Sequence, residues 1–240
     1  MITMHKPEVS VIIPVYNEFG TIRALLKRLE ESLLHRKERY ELIFVDDRST
    51  DGSLELMRTI SETFPMVVMS KVGKKGKAAS ILEGSARAQD DILGFIDADL
   101  QYPPEALPGM YEASKEADIV VANRSVRSKG YIRTALSRLY KYLFGTLLLG
   151  IQADIQSGLK LFRREYLSEI RHDTGPWGLD YVLLFHAKNR GAKIVSYDIY
   201  FDERTYGESN VHIAKTGLEL MVGALKLRIR YFWNNAFRAK

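Results

Sequence analysis

Two aspartates, Asp97 and Asp99, follow an apolar run in the stretch FIDADLQYPP and are separated by one residue. Like charges this close repel each other unless a cation or a proton lies between them. Alternate residues of a strand face the same way, so both carboxylates can meet one ligand. Hard cations such as Mg²⁺ and Mn²⁺ bind carboxylate oxygens, and Mg²⁺ is commonly held together with substrate phosphates. The spacing therefore indicates either a metal–diphosphate site or two solvated aspartates in a turn.

Polar and acidic residues also follow three other apolar runs. Asp46 and Asp47 end the second run and open DDRSTDG, in which Asp51 can equally be a helix cap. Glu18 follows the first run, and Arg124 ends the fifth. Each residue has a purely structural alternative, but their repeated position suggests that several strand ends share one crevice.

The elements that carry these residues alternate between strands and helices. The predicted strands are 9–16, 40–47, 66–72, 91–99, 118–124 and, later, 192–201. Helices are predicted from near Thr21, Asp51, Lys77 and Pro104, and later near 180–189 and over 213–233. This alternation predicts an α/β fold, with a mainly parallel sheet and helices on both faces. Ligands bind beyond the carboxyl ends of the strands in such sheets, where the polar residues stand.

Composition and charge narrow the class of protein. The chain has 240 residues, 46% of them hydrophobic, which is typical of a globular domain. It has no cysteine, which excludes disulfide and thiolate chemistry, and we expect no signal peptide because the first residues contain no apolar segment. The net charge of +5 is concentrated in two patches without acids, residues 119–153 and the residues after Glu219. Such patches suit phosphates, anionic membranes or nucleic acid.

The first basic patch contains a predicted amphipathic helix at about 131–149. Its apolar face is made of Ile132, Leu136, Leu139, Leu143 and Leu147. Arg133, Ser137 and Lys141 form a polar and basic strip beside that face. An apolar surface with a cationic edge suits a lipid phosphate at a membrane surface, and the alternative is a core-packing helix with a solvated edge.

The second patch is a C-terminal helix of the same kind. The apolar side chains expected on one side are Leu218, Met221, Leu225, Ile229 and Trp233. Lys226, Arg228 and Arg230 lie nearby in the sequence. This helix can lie on a membrane, join an oligomer or pack on the sheet, and the sequence does not decide between the three.

Several motifs occur in a specific order: VSVIIPVYNE, ELIFVDDRSTDGS, GKKGKAASILEG and FIDADLQYPPE. In this order they resemble a family 2 glycosyltransferase with the GT-A fold. With NRSVRSKGYIRTALSRL, DIQSGLKLFRRE and FDERTYGES, the chain resembles the dolichol-phosphate mannosyltransferase and polyprenyl-phosphate glycosyltransferase branch over about residues 8–215. The resemblance implies a GT-A, Rossmann-like domain at 1–212 that includes the basic acceptor helix, followed by a basic amphipathic interface helix at 213–240.

The resemblance also implies roles for individual residues. The residues expected to bind a nucleotide-sugar are Pro14, Tyr16, Glu18, Val45, Asp47, Lys77, Asp97, Ala98, Asp99, Gln101 and Arg204. The metal, Mg²⁺ or Mn²⁺, would be held by Asp97, Asp99 and Gln101, and the acceptor phosphate by Arg124, Arg133 and Ser137. The residues expected to be catalytic are Asp99, Arg124 and Arg133. Asn210 departs from the family, which often has Lys or Arg there, so support for the diphosphate is expected from Arg204.

The reaction implied is the inverting transfer of a hexose to a polyprenyl or dolichyl phosphate. Mannose from GDP-mannose is the first expectation, and glucose from UDP-glucose is the alternative. A family 2 transferase acting on a sugar hydroxyl is a further alternative, for which Asp180 would be the base. A nucleic-acid-binding protein would explain the basic patches but not the clustered acids, so no nucleic acid partner is expected.

The expected location follows from the substrate implied by the resemblance. A lipid phosphate is reached from a membrane surface, so we expect a protein peripheral to the cytoplasmic face of a membrane. A membrane-anchoring partner protein is a further expectation. The non-catalytic alternative, a membrane-peripheral binding module, is disfavoured by the complete DADLQ motif.

Overall fold

The computed structural model describes residues 8–33, 40–125, 141–167, 170, 178–202 and 213–238. Seven strands form one sheet: β1 (Val9–Val15), β2 (Tyr40–Asp46), β3 (Val67–Ser70), β4 (Ile92–Ile96), β5 (Ile119–Ser125), β6 (Leu159–Arg163) and β7 (Ile194–Tyr200). Their order across the sheet is β3-β2-β1-β4-β6-β5-β7. The expectation of an α/β fold built on one sheet is confirmed.

The sheet is mainly parallel, as predicted. Strand β1 runs parallel to β2 and β4, β2 to β3, and β5 to β7, whereas β6 lies antiparallel between β4 and β5. The sequence did not predict β6, because its five residues, LKLFR, are interrupted by Lys160. That lysine is fully buried in the folded chain. The missed strand thus occupies a central place in the sheet.

Helices cover the sheet on both faces. They are α1 (Phe19–Leu33), α2 (Ser53–Ser61), α3 (Lys77–Arg87), α4 (Leu107–Ser114), α5 (Leu179–Asn189) and α6 (Ile213–Arg238). In β1, Val11 and Ile13 pack in one core cluster with α1, and Ile12 packs in the other with Ile81 of α3. Alternate residues of β1 are therefore buried on opposite faces, as its continuous apolar run predicted.

The predicted acceptor helix at 131–149 lies only partly within the described residues. Residues 126–140 are outside them, and Lys141–Leu149 forms a π-helix rather than the α-helix that the spacing predicted. Gly150 then adopts a left-handed conformation (φ 67°), and the Ile151 N–H donates to the Gly145 carbonyl at 2.9 Å. The wider turn of a π-helix changes which side chains share a face.

Arg164 joins the end of β6 to the segment between α3 and β4. Its guanidinium donates to the carbonyls of Ser85 (2.7 Å), Ala88 (2.9 Å) and Asp90 (2.9 Å). Ser85 and Ala88 belong to the last turn and the C-cap of α3, where carbonyls lack helical partners and a cation is favourable. Arg164 therefore stabilises the C-terminal end of α3 and fixes β6 against β4.

We expect Arg164→Ala to lower the free energy of unfolding by about 2–3 kcal/mol, because several hydrogen bonds from a charged group are lost together. Urea denaturation measures this change. Arg163→Ala is the matched control, since Arg163 forms a partly exposed ion pair with Asp118 at 3.0 Å. Such a pair contributes about 0–1 kcal/mol. Equal losses in the two variants would contradict the role given to Arg164.

Candidate active site

Hydrogen bonds join the segments that follow β1 and β2. Asn17, in a left-handed conformation (φ 55°) that asparagine tolerates better than most residues, accepts the Thr50 N–H on Oδ1 at 2.8 Å. Its own N–H donates to the Ser49 hydroxyl at 3.0 Å, and the Glu18 N–H donates to the Ser53 hydroxyl at 3.0 Å. The two segments expected to line the nucleotide therefore form one connected edge.

Asp51 supports this edge as a structural residue. Its carboxylate accepts the Ser53 N–H and the Phe19 N–H, both at 3.0 Å, at the starts of α2 and α1. Burial acts to raise the pKa of Asp51, but the hydrogen bonds from Ser53 and Phe19 outweigh it and lower the pKa. The structural alternative considered for Asp51 thus agrees with its contacts.

Asp47 holds the glycine–lysine loop that leads into α3. Its carboxylate pairs with the buried Lys71 ammonium at 2.6 Å and accepts the Gly76 N–H at 2.6 Å. Lys71 in turn donates to the Gly76 carbonyl at 3.0 Å. The loop before α3 is therefore fixed to the end of β2. The contact between Asp47 and a nucleotide base stays a prediction.

Lys77 and Asp97, two residues expected at the nucleotide-sugar, form an ion pair. The Lys77 Nζ lies 2.5 Å from Asp97 Oδ1 and 5.3 Å from the centre of the Phe95 ring. Burial acts to lower the pKa of Lys77, but the charges of Asp97 and Asp180 outweigh it and raise the pKa. Lys77 is therefore a stable cation at the end of β4.

The other residues of the DADLQ motif fit a hard divalent cation. Gln101 Nε2 donates to the Asp202 carbonyl at 3.3 Å, which directs the amide nitrogen there and leaves Oε1 as a ligand for a cation. Leu100 adopts a left-handed conformation (φ 65°), and Asp99 Oδ1 accepts the Gln101 N–H at 3.1 Å in this tight turn. Within the described residues no three or more His, Cys, Asp or Glu side chains form a metal-binding group. The motif thus offers two carboxylates and one amide, a set suited to a metal that is also held by phosphates.

A glycine lets the segment before β6 approach Asp97 closely. The Asp97 N–H donates to the Gly158 carbonyl at 3.1 Å. A Cβ atom at Gly158 would overlap both the Asp97 carboxylate and the Tyr102 ring. Burial raises the pKa of Tyr102 to about 12, so its hydroxyl stays protonated at neutral pH. Only glycine fits between these two side chains.

Lys160 and Asp180 form a second ion pair beside the first. The Lys160 ammonium is fully buried, pairs with Asp180, donates to the Ser157 carbonyl at 2.5 Å and lies 5.2 Å from the centre of the Phe95 ring. Burial lowers the pKa of Lys160, although the charge of Asp180 acts in the opposite direction. Asp180, at the start of α5, is therefore committed to a buried partner.

Arg124, the residue expected at the acceptor phosphate, is held by a buried carboxylate. Its Nε and Nη2 donate to Asp154 Oδ2 and Oδ1 at 2.7 and 3.0 Å, and Asp154 is only 3% exposed. The guanidinium also lies 5.3 Å from the centre of the Phe201 ring. Burial acts to lower the pKa of Arg124, but the hydrogen bond with Asp154 and the charges of Asp154 and other nearby groups together outweigh it and raise the pKa. The Phe201 ring in turn packs on the Tyr102 ring, with 4.9 Å between the ring centres, and Tyr102 and Asp97 both lie against Gly158. Arg124 is therefore close to the DADLQ motif.

The remaining residues of the predicted site lie in different surroundings. Tyr16 is 42% exposed at the same edge. Glu18 is buried, and its carboxylate accepts a hydrogen bond from the Thr21 hydroxyl at the start of α1. Val45 is fully buried in the core, so a nucleotide contact through its side chain is not expected. Pro14 is half-buried near the end of β1, and Ala98 is buried between the two aspartates. Arg133, Ser137 and Arg204 lie outside the described residues.

Sequence reasoning assigned no role to three residues that shape the site. Asp154 and Gly158 both belong to the DIQSG stretch, and Lys160 follows it. A buried acid, a glycine at a close approach and a buried lysine carry no periodic signal, so only their order in the family motif pointed to them. The folded chain shows that all three contact residues at the carboxyl ends of β4 and β5 or at the start of α5.

The π-helix and α6 form an exposed apolar face. Its members are Tyr142, Leu143, Leu147, Leu218, Met221, Val222, Leu225, Ile229, Phe232 and Trp233. The opposite side of α6 packs on the domain through Leu220 and Ala224, and Arg228 joins the two elements by donating to the carbonyls of Leu147 and Leu148. The apolar side chains predicted to share one side of α6 are therefore the exposed ones. None of the helices in the described residues has the length and apolarity needed to cross a bilayer.

Comparison with known proteins extends this description. Residues 10–171 match the model of glycosyl transferase family 2. A dolichol-phosphate mannosyltransferase of Pyrococcus furiosus is 30% identical over 213 residues, which cover 85% of this chain and 59% of that protein. An undecaprenyl-phosphate 4-deoxy-4-formamido-L-arabinose transferase of Aeromonas hydrophila is 38% identical over 134 residues, or 55% of this chain and 41% of that protein. The chain thus spans about half of the length of these relatives.

A solved structure agrees with the fold. Glucosyl-3-phosphoglycerate synthase of Mycobacterium tuberculosis, in complex with Mn²⁺, UDP and phosphoglyceric acid, matches with a TM-score of 0.72 at 20% identity. The match covers 92% of this chain and 78% of that one, and the expected GT-A fold is confirmed. Because the family model matches more than half of the chain, and the order of strand-end motifs agrees with it, the chain belongs to glycosyl transferase family 2.

Proposed function

We propose that this protein transfers a hexose, with inversion, from a nucleotide-sugar to the phosphate of a polyprenyl or dolichyl lipid. Mannose from GDP-mannose is the first donor to test, and UDP-glucose is the second. The observation that carries the proposal is the proximity of two unlike centres at one edge of the sheet. One is the oxygen-ligand set of Asp97, Asp99 and Gln101, and the other is the cation of Arg124.

The relatives support the lipid phosphate as acceptor. The names of the Pyrococcus and Aeromonas proteins describe sugar transferases of dolichol phosphate and undecaprenyl phosphate. A phosphate acceptor is already anionic at pH 7, so it can attack the anomeric carbon without a general base. What it needs is a fixed cation that orients it and reduces its repulsion from the donor diphosphate. Arg124, with its raised pKa, suits this task.

The chemistry assigns separate tasks to the residues. When bound, Mg²⁺ or Mn²⁺ would supply positive charge to the leaving diphosphate. Asp97, Asp99 and Gln101 would hold this ion, and Lys77 would add a second positive charge beside it. Arg124, together with Arg133 and Ser137 as the resemblance implies, would align the acceptor phosphate. The bond from the anomeric carbon to the diphosphate oxygen breaks as its bond to the lipid phosphate oxygen forms.

The contacts of Asp180 disfavour transfer to a sugar hydroxyl. That reaction requires a carboxylate base near the acceptor. Asp180 was the candidate for this base, but it pairs with the buried Lys160 ammonium. Asp180 is therefore already engaged by a buried cation of the chain, which disfavours it as the base.

The location of the protein also belongs to this proposal. The exposed apolar face on the π-helix and α6 suits the headgroup region of a membrane, and Lys226, Arg228 and Arg230 of α6 suit anionic lipids. We propose that this face holds the chain at the cytoplasmic surface of a membrane, where a lipid phosphate is within reach of Arg124. A membrane-anchoring partner protein would strengthen this attachment.

The proposed function is tested with labelled nucleotide-sugars, polyprenyl phosphate and either Mg²⁺ or Mn²⁺. Label should enter the organic phase with one donor, and chelation of the metal should stop the transfer. Label that instead enters a soluble saccharide would favour the hydroxyl-acceptor alternative.

We expect Asp99→Asn to reduce transfer by about 100-fold or more. The substitution removes a carboxylate ligand of the metal ion that would stabilise the leaving diphosphate. Circular dichroism should be unchanged, since Asp99 lies in a turn beyond β4. Asp91→Asn is the matched control, because Asp91 is exposed at the opposite end of the same strand. Near-normal turnover in Asp99→Asn would contradict the metal assignment.

We expect the double substitution Leu225→Glu and Trp233→Glu to weaken binding to anionic vesicles by about 10-fold or more, because apolar contact is replaced by like charge. Cosedimentation with vesicles measures this change. The double variant Thr59→Glu with Ala86→Glu, at exposed positions of α2 and α3, adds the same two acidic charges away from this face and is the control. Unchanged vesicle binding by the double variant would exclude this face as the membrane contact.

A further inference from the structure

We infer that Asp154 is a positioning residue for the acceptor phosphate, acting through Arg124. This inference rests on the proposed function, in which Arg124 receives that phosphate. Asp154 has no role in the predicted site, and it does not belong to the metal-binding motif. Its place in the structure nevertheless links the two centres on which the transfer depends.

Asp154 occupies one edge of the Arg124 guanidinium and leaves the direction of the other edge fixed. A guanidinium has five N–H groups, and two of its edges can each bind a planar anion. Asp154 occupies the side edge, formed by Nε and Nη2, at 2.7 and 3.0 Å. The edge formed by Nη1 and Nη2 is not used by this pair. Asp154 thereby fixes the direction in which Arg124 presents its other edge.

The pair of Asp154 and Arg124 lies in a largely buried environment. Asp154 is 3% exposed, and Arg124 compensates its buried charge at close range. The centre of the Phe201 ring, just after β7, lies 5.3 Å from the guanidinium carbon and adds a second contact. A side chain held by a buried bidentate partner and by a ring has little rotational freedom. Arg124 therefore approaches a ligand with its geometry already set.

The turn that begins at Asp154 connects Arg124 with the proposed metal site. Asp154 begins a short turn that ends at Gly158, in which the Ser157 N–H donates to the Asp154 carbonyl at 3.0 Å. At the other end of the turn, the Gly158 carbonyl accepts the Asp97 N–H at 3.1 Å. The turn is thus fixed to Arg124 at one end and to the metal-site aspartate at the other. It sets the distance between the acceptor cation and the donor diphosphate.

The test uses Asp154→Asn, which keeps the size of the side chain but directs an amide toward the guanidinium. We expect the KM for polyprenyl phosphate to rise by about 10-fold or more, while the KM for the nucleotide-sugar changes by less than about 2-fold. A residue with only a structural role would affect both substrates or neither. The double variant Arg124→Ala with Asp154→Asn should be no worse than Arg124→Ala alone, because Asp154 acts through Arg124.

Two further variants keep the test decisive. Asp118→Asn removes the carboxylate of another Arg–Asp pair, just before β5, and should leave both KM values unchanged. Arg124→Lys keeps the charge but cannot form the two-edged contact, so it should reproduce the acceptor defect even if Asp154→Asn folds poorly. An acceptor KM that is unaltered in Arg124→Lys or in folded Asp154→Asn would overturn the inference.

Calorimetric titration with a short-chain polyprenyl monophosphate separates this inference from the proposed function. We expect binding to the unsubstituted chain and a loss of about 10-fold in affinity for Asp154→Asn. Binding without any sugar transfer by the unsubstituted chain would contradict the proposed function alone. Equal binding by the two chains would contradict the inference alone, and no binding by either would contradict both.

Discussion

Repulsion between carboxylates at the carboxyl ends of the strands is the constraint on which this site depends. Asp47, Asp97, Asp154 and Asp180 all lie near one edge, and each is met by a cation within the chain. The partners come from different elements, so the charges balance only after the sheet has formed. Each ion pair compensates a buried or partly buried charge. Each pair also fixes the position of one loop or helix at this edge.

The antiparallel strand β6 makes this balance possible. It separates β4 from β5, and through Lys160 it brings a buried ammonium beneath the Phe95 ring beside Asp180. The turn that precedes it contacts Asp97 through Gly158 and Arg124 through Asp154. One short segment therefore connects the DADLQ motif with the cation expected at the acceptor. A parallel strand in that place would begin at the amino ends of β4 and β5, so the turn before it would lie far from Asp97 and Arg124.

The exposed apolar face and the charged edge have different physical origins. At the edge, ion pairs form between groups that are largely removed from water, where charges interact strongly. On α6, one side packs on the domain through Leu220 and Ala224, while apolar side chains remain exposed on the other. Exposed apolar patches of this kind commonly mark contact with a membrane or another protein.

The sequence by itself determined the fold class and the position of the DADLQ motif at the end of a strand. The periodicity and length of apolar runs are local signals, so continuous runs such as Val9–Val15 predicted strands. The DADLQ motif follows such a run, at the point where a strand was expected to end. The tertiary structure alone decided which residues compensate the acids. Lys160 and Asp154 are buried partners of residues 20 and 30 positions away in the chain. No local pattern encodes such a pairing, because it depends on how β6 enters the sheet and not on the residues beside it.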